Sequence, residues 1–154
     1  MKLISHRGNI EGVNNKTENE PNNILKVIKL GYEVEVDIWK KKKNWYLGHD
    51  YPQYRIGNNN KLKKFTFKKK NKYWFHCKNK EAMVSMLNIK SYNFFWHNKD
   101  DFTITSKGYF WAYPGQILHK NTVILFPEKF FSIKKIIKQN YYGICSDYVS
   151  LFKR

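Results

Sequence analysis

The order of apolar segments predicts an α/β fold: a reduced (β/α)8 TIM-type barrel with several crossover helices shortened or missing. Three observations carry that expectation. Eight short strand-like segments alternate with loops and helices, the pattern of a parallel sheet wrapped by crossovers. Polar residues recur where those segments end, which is where barrel enzymes place their active groups. The chain has 154 residues, against about 250 in a typical barrel of this kind, so the crossovers must be trimmed. No linker, repeat or low-complexity stretch divides it, and a single domain over 1–154 is expected.

The strands are expected at Lys2–Ser5, Glu33–Trp39, Tyr73–Cys77, Asn93–His97, Phe102–Thr105, Tyr109–Ala112, Thr122–Phe126 and Gly143–Ser146, with a hairpin or extension near Trp45–Gly48. Each is a short apolar or alternating run bounded by polar residues. The first helix runs from Pro21 to Leu30, with Pro in its first turn and Gly31 just past its end. Ile24, Leu25 and Ile28 give it one apolar face. Asn79 caps a second helix, Lys80 to Leu87, and a third runs from about Phe130 to Gln139. Residues 93–113 have room for strands and little else.

The formal charge is +17, but it is carried overwhelmingly by Lys; the arginines are Arg7, Arg55 and Arg154. Specific readers of guanine and phosphate favour the planar fork of Arg, so no specific nucleic-acid partner is expected. The runs Lys40–Lys43 and Lys68–Lys70 read as solvated loops. The positive field favours anionic substrates and peripheral contact with anionic surfaces. The start of the chain, Met-Lys-Leu-Ile-Ser-His, turns polar too soon for a signal peptide, and no apolar run reaches membrane-span length, so a cytoplasmic location is expected. Cys77 and Cys145 lie in apolar runs and read as small buried residues rather than as a disulfide.

The segment Glu33-Val34-Glu35-Val36-Asp37-Ile38 is the most telling on physical grounds. Side chains alternate along a strand, so Glu33, Glu35 and Asp37 share one face. In a helix-covered barrel the Val and Ile face lies outward and the acidic face inward. Buried unpaired carboxylates are costly, so that arrangement asks for a cation, and carboxylate oxygens suit Mg²⁺ or Ca²⁺. A solvent-exposed acidic face paired with the many lysines is the competing reading. His6-Arg7-Gly8 follows the first strand, and His49-Asp50 follows Gly48. Two histidines flanking an acidic strand suit general acid–base work, one taking a proton and the other giving one.

Taken in order, His6-Arg7-Gly8, Glu18-Asn19, Glu35-Val36-Asp37, Gly48-His49-Asp50, Lys78 and Gly143-Ile144-Cys145-Ser146-Asp147 resemble the motifs of the glycerophosphodiester phosphodiesterase family. The resemblance is dense over residues 1–50, sparse afterwards, and returns at Gly143–Asp147, which looks like the family's last strand. It implies a phosphoric diester hydrolase acting on a glycerophosphodiester-type substrate or a lipid head group. His6 and His49 would be the catalytic acid and base, and Glu35 and Asp37 metal ligands. Arg7 and Lys78 would bind phosphate, and Glu18 and Asp50 would support the site. The family's third strand carries Glu-x-Lys, whereas this chain reads His76-Cys77-Lys78. His76 stands where an acidic ligand belongs: it ligates the metal, backs the ligands, or marks weakened metal binding. Imidazole brings Mn²⁺ or Zn²⁺ into consideration beside Mg²⁺ and Ca²⁺. The Thr of the usual Glu-Asn-Thr is replaced by Glu20.

Trp111 and Tyr113 are candidates for a stacking surface toward substrate, while the other strand aromatics read as core. His97, Asp100, Asp101 and Glu128 fall at strand ends with no assigned role, and His119 is assigned nothing. Three alternatives accompany the hydrolase reading: a lyase of the same superfamily that stops at the cyclic phosphate, a degenerate barrel that binds a phosphorylated ligand without turning it over, and a general nucleic-acid binder driven by charge, whose affinity would fall steeply with salt. A trimmed barrel also leaves apolar surface that a homodimer would cover.

Overall fold

The computed structural model describes residues 1–58, 69–116 and 119–153. Among the described residues ten strands form one sheet: β1 (Lys2–His6), β2 (Glu33–Lys41), β3 (Asn44–Leu47), β4 (Tyr54–Asn58), β5 (Tyr73–Cys77), β6 (Asn93–Trp96), β7 (Phe102–Ile104), β8 (Phe110–Ala112), β9 (Thr122–Leu125) and β10 (Gly143–Ser146). Three α-helices accompany them among the described residues: α1 (Pro21–Lys29), α2 (Lys80–Leu87) and α3 (Ile133–Lys138). None of the helices is long and apolar enough to cross a membrane.

Seven strands run parallel in the spatial order β6-β5-β2-β1-β10-β9-β8. β7 adds to β8 antiparallel, and β3 and β4 extend the far half of β2 as an antiparallel ribbon. The result is a curled half-barrel with antiparallel pairs, and it overturns the expected (β/α)8 barrel. The reason is chain length. A parallel crossover needs a dozen or more residues, usually with a helix. A barrel would need two such crossovers between β6, β7 and β8, but only residues 97–101 and 105–109 connect them, and β7 returns antiparallel instead. Among the described residues no ladder joins β6 to β7. Their edges meet through isolated bonds, with Ser106 N donating to Phe94 O at 2.7 Å and Thr103 Oγ1 donating to Trp96 O at 3.0 Å.

The helices form where their signals lie. Pro21 opens α1, and the Glu20 carboxylate caps it by accepting from Asn22 N and Asn23 N. Gly31, at φ 100°, turns the chain out of it. Asn79 caps α2 by accepting from Ala82 N, and Ser132 caps α3. The third helix is shorter than expected because residues 127–129 form a separate 3₁₀ turn.

The alternation in β2 sorts the core. Val34, Val36 and Ile38 pack outward against Ile24, Val27 and Ile28 of α1 and Ala82 and Met86 of α2. Each fully buried aliphatic chain of this kind contributes about 1.5–3 kcal/mol. The inward face of the sheet carries a second cluster, Ile4, Trp74, Phe95, Trp111, Val123, Leu125 and Cys145. Cys77 and Cys145 are buried and free. Lys40 corrects the expected lysine loop. It lies within β2, is buried, and places Nζ 4.4 Å from the ring centre of Trp45. Lys68 lies outside the described residues.

Candidate functional site

The parallel strands end on one side of the sheet, and their C-terminal ends carry the charged residues. Glu33, Glu35 and Asp37 are all buried on the inward face of β2. This settles the acidic face as internal rather than solvent-exposed. Glu33 is satisfied low in the sheet: its carboxylate accepts from Trp74 Nε1 at 2.8 Å and pairs with Lys2 Nζ at 2.9 Å. Glu35 and Asp37 lie nearer the strand ends, below an open pocket of about 440 Å³. His6, Arg7, Glu35, His49, His76, Lys78 and Asp147 line its charged side, and Phe95, Trp111, Tyr113 and Phe126 its aromatic side.

The backbone fixes the surrounding loops to β2. Arg7 N donates to Glu35 O at 3.0 Å, Gly48 N to Asp37 O at 3.2 Å and Lys78 N to Ile38 O at 2.9 Å. Each loop thus enters the site at a defined height on the acidic strand. Gly48, at φ 145°, also accepts from Trp39 Nε1 at 2.6 Å. A Cβ there would lie 2.2 Å from the Tyr51 carbonyl oxygen, so the chain entering His49 requires glycine. Arg7 and Asn19 hold left-handed backbones, at φ 53° and 58°. Such conformations in non-glycine residues concentrate at functional sites.

Asp37 is the hub. Its Oδ2 accepts from Asn19 Nδ2 at 3.0 Å and lies 3.2 Å from His49 Nδ1 and 3.0 Å from Arg7 Nε. Its Oδ1 lies 3.0 Å from His76 Nδ1 and 3.5 Å from Lys78 Nζ. That oxygen is buried and, among the described residues, receives no aligned hydrogen bond. Burial pushes the Asp37 carboxyl upward, but hydrogen bonding from His49, the contact with His76 and the charge of Arg7 outweigh it and hold the group well below the ordinary range. Glu35 goes the other way. Burial, then the neighbouring Asp37 charge, raises it well above the usual value despite Arg7 and Lys78. Two carboxylates on one strand face are therefore pushed apart, a pattern typical of functional sites.

The histidines differ in their supports. His6 Nδ1 lies 2.7 Å from Asp147 Oδ1, which also accepts from Asn9 Nδ2 at 2.8 Å. A carboxylate only accepts, so Nδ1 carries the hydrogen and Nε2 holds the lone pair toward the pocket. Asp147 sits below the ordinary carboxyl range: burial raises it, and the bond to His6 with the Asn9 donation lowers it further. The His6 ring meets Phe126 edge-on at 4.9 Å. Phe126 is itself at φ 45°, an unfavourable conformation for an aromatic residue. At His49, Arg7 Nη2 lies 3.2 Å from Nε2. Arg only donates, so Nε2 accepts and Nδ1–H points to Asp37.

The other expected residues fall as follows. Glu18 accepts from Arg7 Nη1 at 3.2 Å and from Asn9 Nδ2 at 2.9 Å, bracing both from behind the pocket. Asp50 is brought only to 3.5 Å of His49 and is highly exposed. His97 lines the pocket, whereas Asp100, Asp101 and Glu128 do not. Glu128 instead accepts from Ser146 Oγ at 2.6 Å. Asp147, Asn9 and Asn19 were not expected as site residues. Position alone could have flagged Asp147, since it directly follows a strand on the side where His6 emerges.

Glu35, Asp37 and His76 each offer a ligand atom, all within 4.8 Å of one another, and could hold a metal ion. The buried, unbonded Asp37 Oδ1 fits that use. No family model, curated protein or solved structure matches this chain.

Proposed function

We propose that the protein is a metal-dependent phosphodiesterase using two histidines as acid and base. One observation carries the reading: His6, Arg7, His49 and Lys78 converge from separate strand ends on a buried carboxylate pair of opposed proton affinity. Two imidazoles, two fixed cations and a metal-ligand cluster are what in-line displacement at a phosphodiester requires.

His6 is the base, because its Nδ1–H is held by Asp147 and its Nε2 faces the pocket, 4.0 Å from Glu35 Oε2. A neighbouring hydroxyl of the substrate gives its proton to that nitrogen as its oxygen bonds to phosphorus. The bond to the leaving alkoxide breaks, and His49 supplies that alkoxide with a proton. The cyclic phosphate is then opened by water with the two roles reversed. Arg7 and Lys78 neutralise the non-bridging oxygens. In the free protein Arg7 Nη2 is committed to His49 Nε2, so a bound phosphate would draw Arg7 away and let that nitrogen take a proton from solvent, which it then gives to the alkoxide. A divalent cation held by Glu35, Asp37 and His76 would add Lewis-acid stabilisation of the phosphoryl charge. The substrates that fit are small glycerophosphodiesters or lipid head groups, whose alcohol part would meet Trp111 and the aromatic side.

The test is hydrolysis of bis(p-nitrophenyl) phosphate and glycerophosphocholine with Mg²⁺, Ca²⁺, Mn²⁺, Zn²⁺ or EDTA. His6→Ala and His49→Ala should each lower turnover by about 10²-fold or more. Activity that survives both replacements overturns the mechanism. A cyclic phosphate accumulating as the end product moves the assignment to the lyase.

A further inference from the structure

We propose that the Glu35–Asp37–His76 cluster is built for a divalent first-row transition ion, Mn²⁺ to Zn²⁺, rather than for Mg²⁺ or Ca²⁺, with His76 Nδ1 as a direct ligand. The inference rests on the metal-site part of the reading above and on no step of the chemistry.

His76 is fixed in both plane and tautomer. Asp37 and His76 are register partners across β2 and β5, so the two side chains rise together on the inward face. The His76 ring stacks on Phe95 at 5.1 Å and 10°. Its Nε2 lies 3.1 Å from the His97 carbonyl oxygen. A carbonyl only accepts, so Nε2 carries the hydrogen and a neutral ring keeps its lone pair on Nδ1. Bonding of the far ring nitrogen to a carbonyl is the arrangement that orients metal-ligating histidines.

That lone pair faces oxygen. Nδ1 lies 3.0 Å from Asp37 Oδ1 and 3.7 Å from Glu35 Oε1. Bonds of about 2.1 Å place ligand atoms about 3.0 Å apart at a right angle and about 3.6 Å apart at 120°. Bonds of about 2.4 Å, as to calcium, would spread the same pairs to about 3.4 and 4.2 Å. Both spacings from Nδ1 match the smaller ion. Among ions of that size, an imidazole nitrogen then separates the first-row transition metals from magnesium, which is reluctant to leave oxygen.

The experiment uses the full chain freed of metal with EDTA. Calorimetric titration with MnCl₂, ZnCl₂, MgCl₂ and CaCl₂ is run on the wild type, His76→Glu, His76→Ala and Glu35→Gln, each checked for folding by circular dichroism. Transition ions favour any nitrogen-containing site, so the decisive quantity is the change in selectivity. His76→Glu should lower the Mn²⁺-over-Mg²⁺ and Zn²⁺-over-Mg²⁺ preferences by about tenfold or more. His76→Ala and Glu35→Gln should weaken binding of the transition ions. Pulsed EPR of the Mn²⁺ form should show a directly bonded nitrogen that disappears in His76→Glu. An unchanged selectivity ratio, a missing nitrogen coupling, or no metal binding at all overturns the proposal. Because binding is read without substrate, the proposal stands or falls on these readouts whether or not hydrolysis is found, and hydrolysis that proceeds with no ion bound would overturn the metal-dependent mechanism instead.

Discussion

Glu35 and Asp37 should respond oppositely to loss of charge, although they share one face of one strand. Their ligand oxygens lie within 4.8 Å. At an effective dielectric constant of about 20, two like charges at that separation repel by about 3.5 kcal/mol. Arg7 and Lys78 offset part of this for Glu35, but its carboxyl is still pushed well above the ordinary range. Ionised Glu35 therefore destabilises the metal-free fold. Its contribution worsens as pH rises from the unfolded value of about 4.3 through the higher folded value. Asp37 is held low, so its stabilisation is present above about pH 4 and is lost as pH falls toward its folded value. Glu35→Gln keeps the side chain's shape and an acceptor for Arg7 N. In EDTA at pH 7 it should raise stability by about 1–2 kcal/mol. Asp37→Asn leaves Arg7 and Lys78 without their shared counter-charge and should cost about 3–5 kcal/mol. Urea denaturation followed by tryptophan fluorescence measures both, and the Glu35→Gln gain should shrink at pH 5 as the wild-type carboxyl protonates. If Glu35→Gln destabilises as much as Asp37→Asn, the account of the pair is wrong.

Three further outcomes follow from the geometry. Asp147→Asn can keep the bond to His6 but not the charge that steadies a protonated ring; turnover should fall about 10- to 1000-fold with KM little changed, and an unaltered kcat would separate Asp147 from the reaction. Gly48→Ala drives a Cβ to within 2.2 Å of a carbonyl oxygen and should cost about 1–3 kcal/mol, read as a shifted urea midpoint; an unmoved midpoint would contradict the tight turn before His49. Burial pushes the Cys77 thiol up to about 12 and the Cys145 thiol well above its ordinary value; neither should react with Ellman's reagent until the chain unfolds, and fast labelling of the native protein would refute their burial.

What the sequence disclosed depended on how local the cause was. The period of two in residues 33–38 placed three acids on one face because strand geometry permits nothing else. Asn79 and the Pro21–Gly31 pair bounded helices because caps act within a few residues. The direction of β7 was not legible: Phe-Thr-Ile carries no mark of parallel or antiparallel pairing, and the outcome is set by the short path between β6 and β8. Strand β4 contains Arg55 and Gly57, which weaken any strand signal, and it exists because β3 offers it an edge. The burial of Lys40 depends on the Trp45 ring across the ribbon. Asp147 reaches His6 across most of the chain, a pairing that only the adjacency of β1 and β10 creates.

The sheet is regular on one side of the site and irregular on the other. Apart from His49, which follows the antiparallel β3, the charged side of the pocket rises from β1, β2, β5 and β10, four parallel strands in unbroken register. Metal ligation and proton transfer tolerate errors of about half an ångström, so those groups need rigid neighbours on both sides. The shortened part of the sheet, β6 to β8, carries Phe95, Trp111 and the approach to Tyr113 instead. An aromatic wall works by area and shape, and it does not need strands of one direction behind it. Changes on that side alter which group can lie against the wall and leave the charged cluster where it is. If the protein is the proposed phosphodiesterase, exchanging Trp111, Tyr113 or Phe126 should change which alcohol group it accepts, while the need for His6, Asp37 and His76 stays fixed.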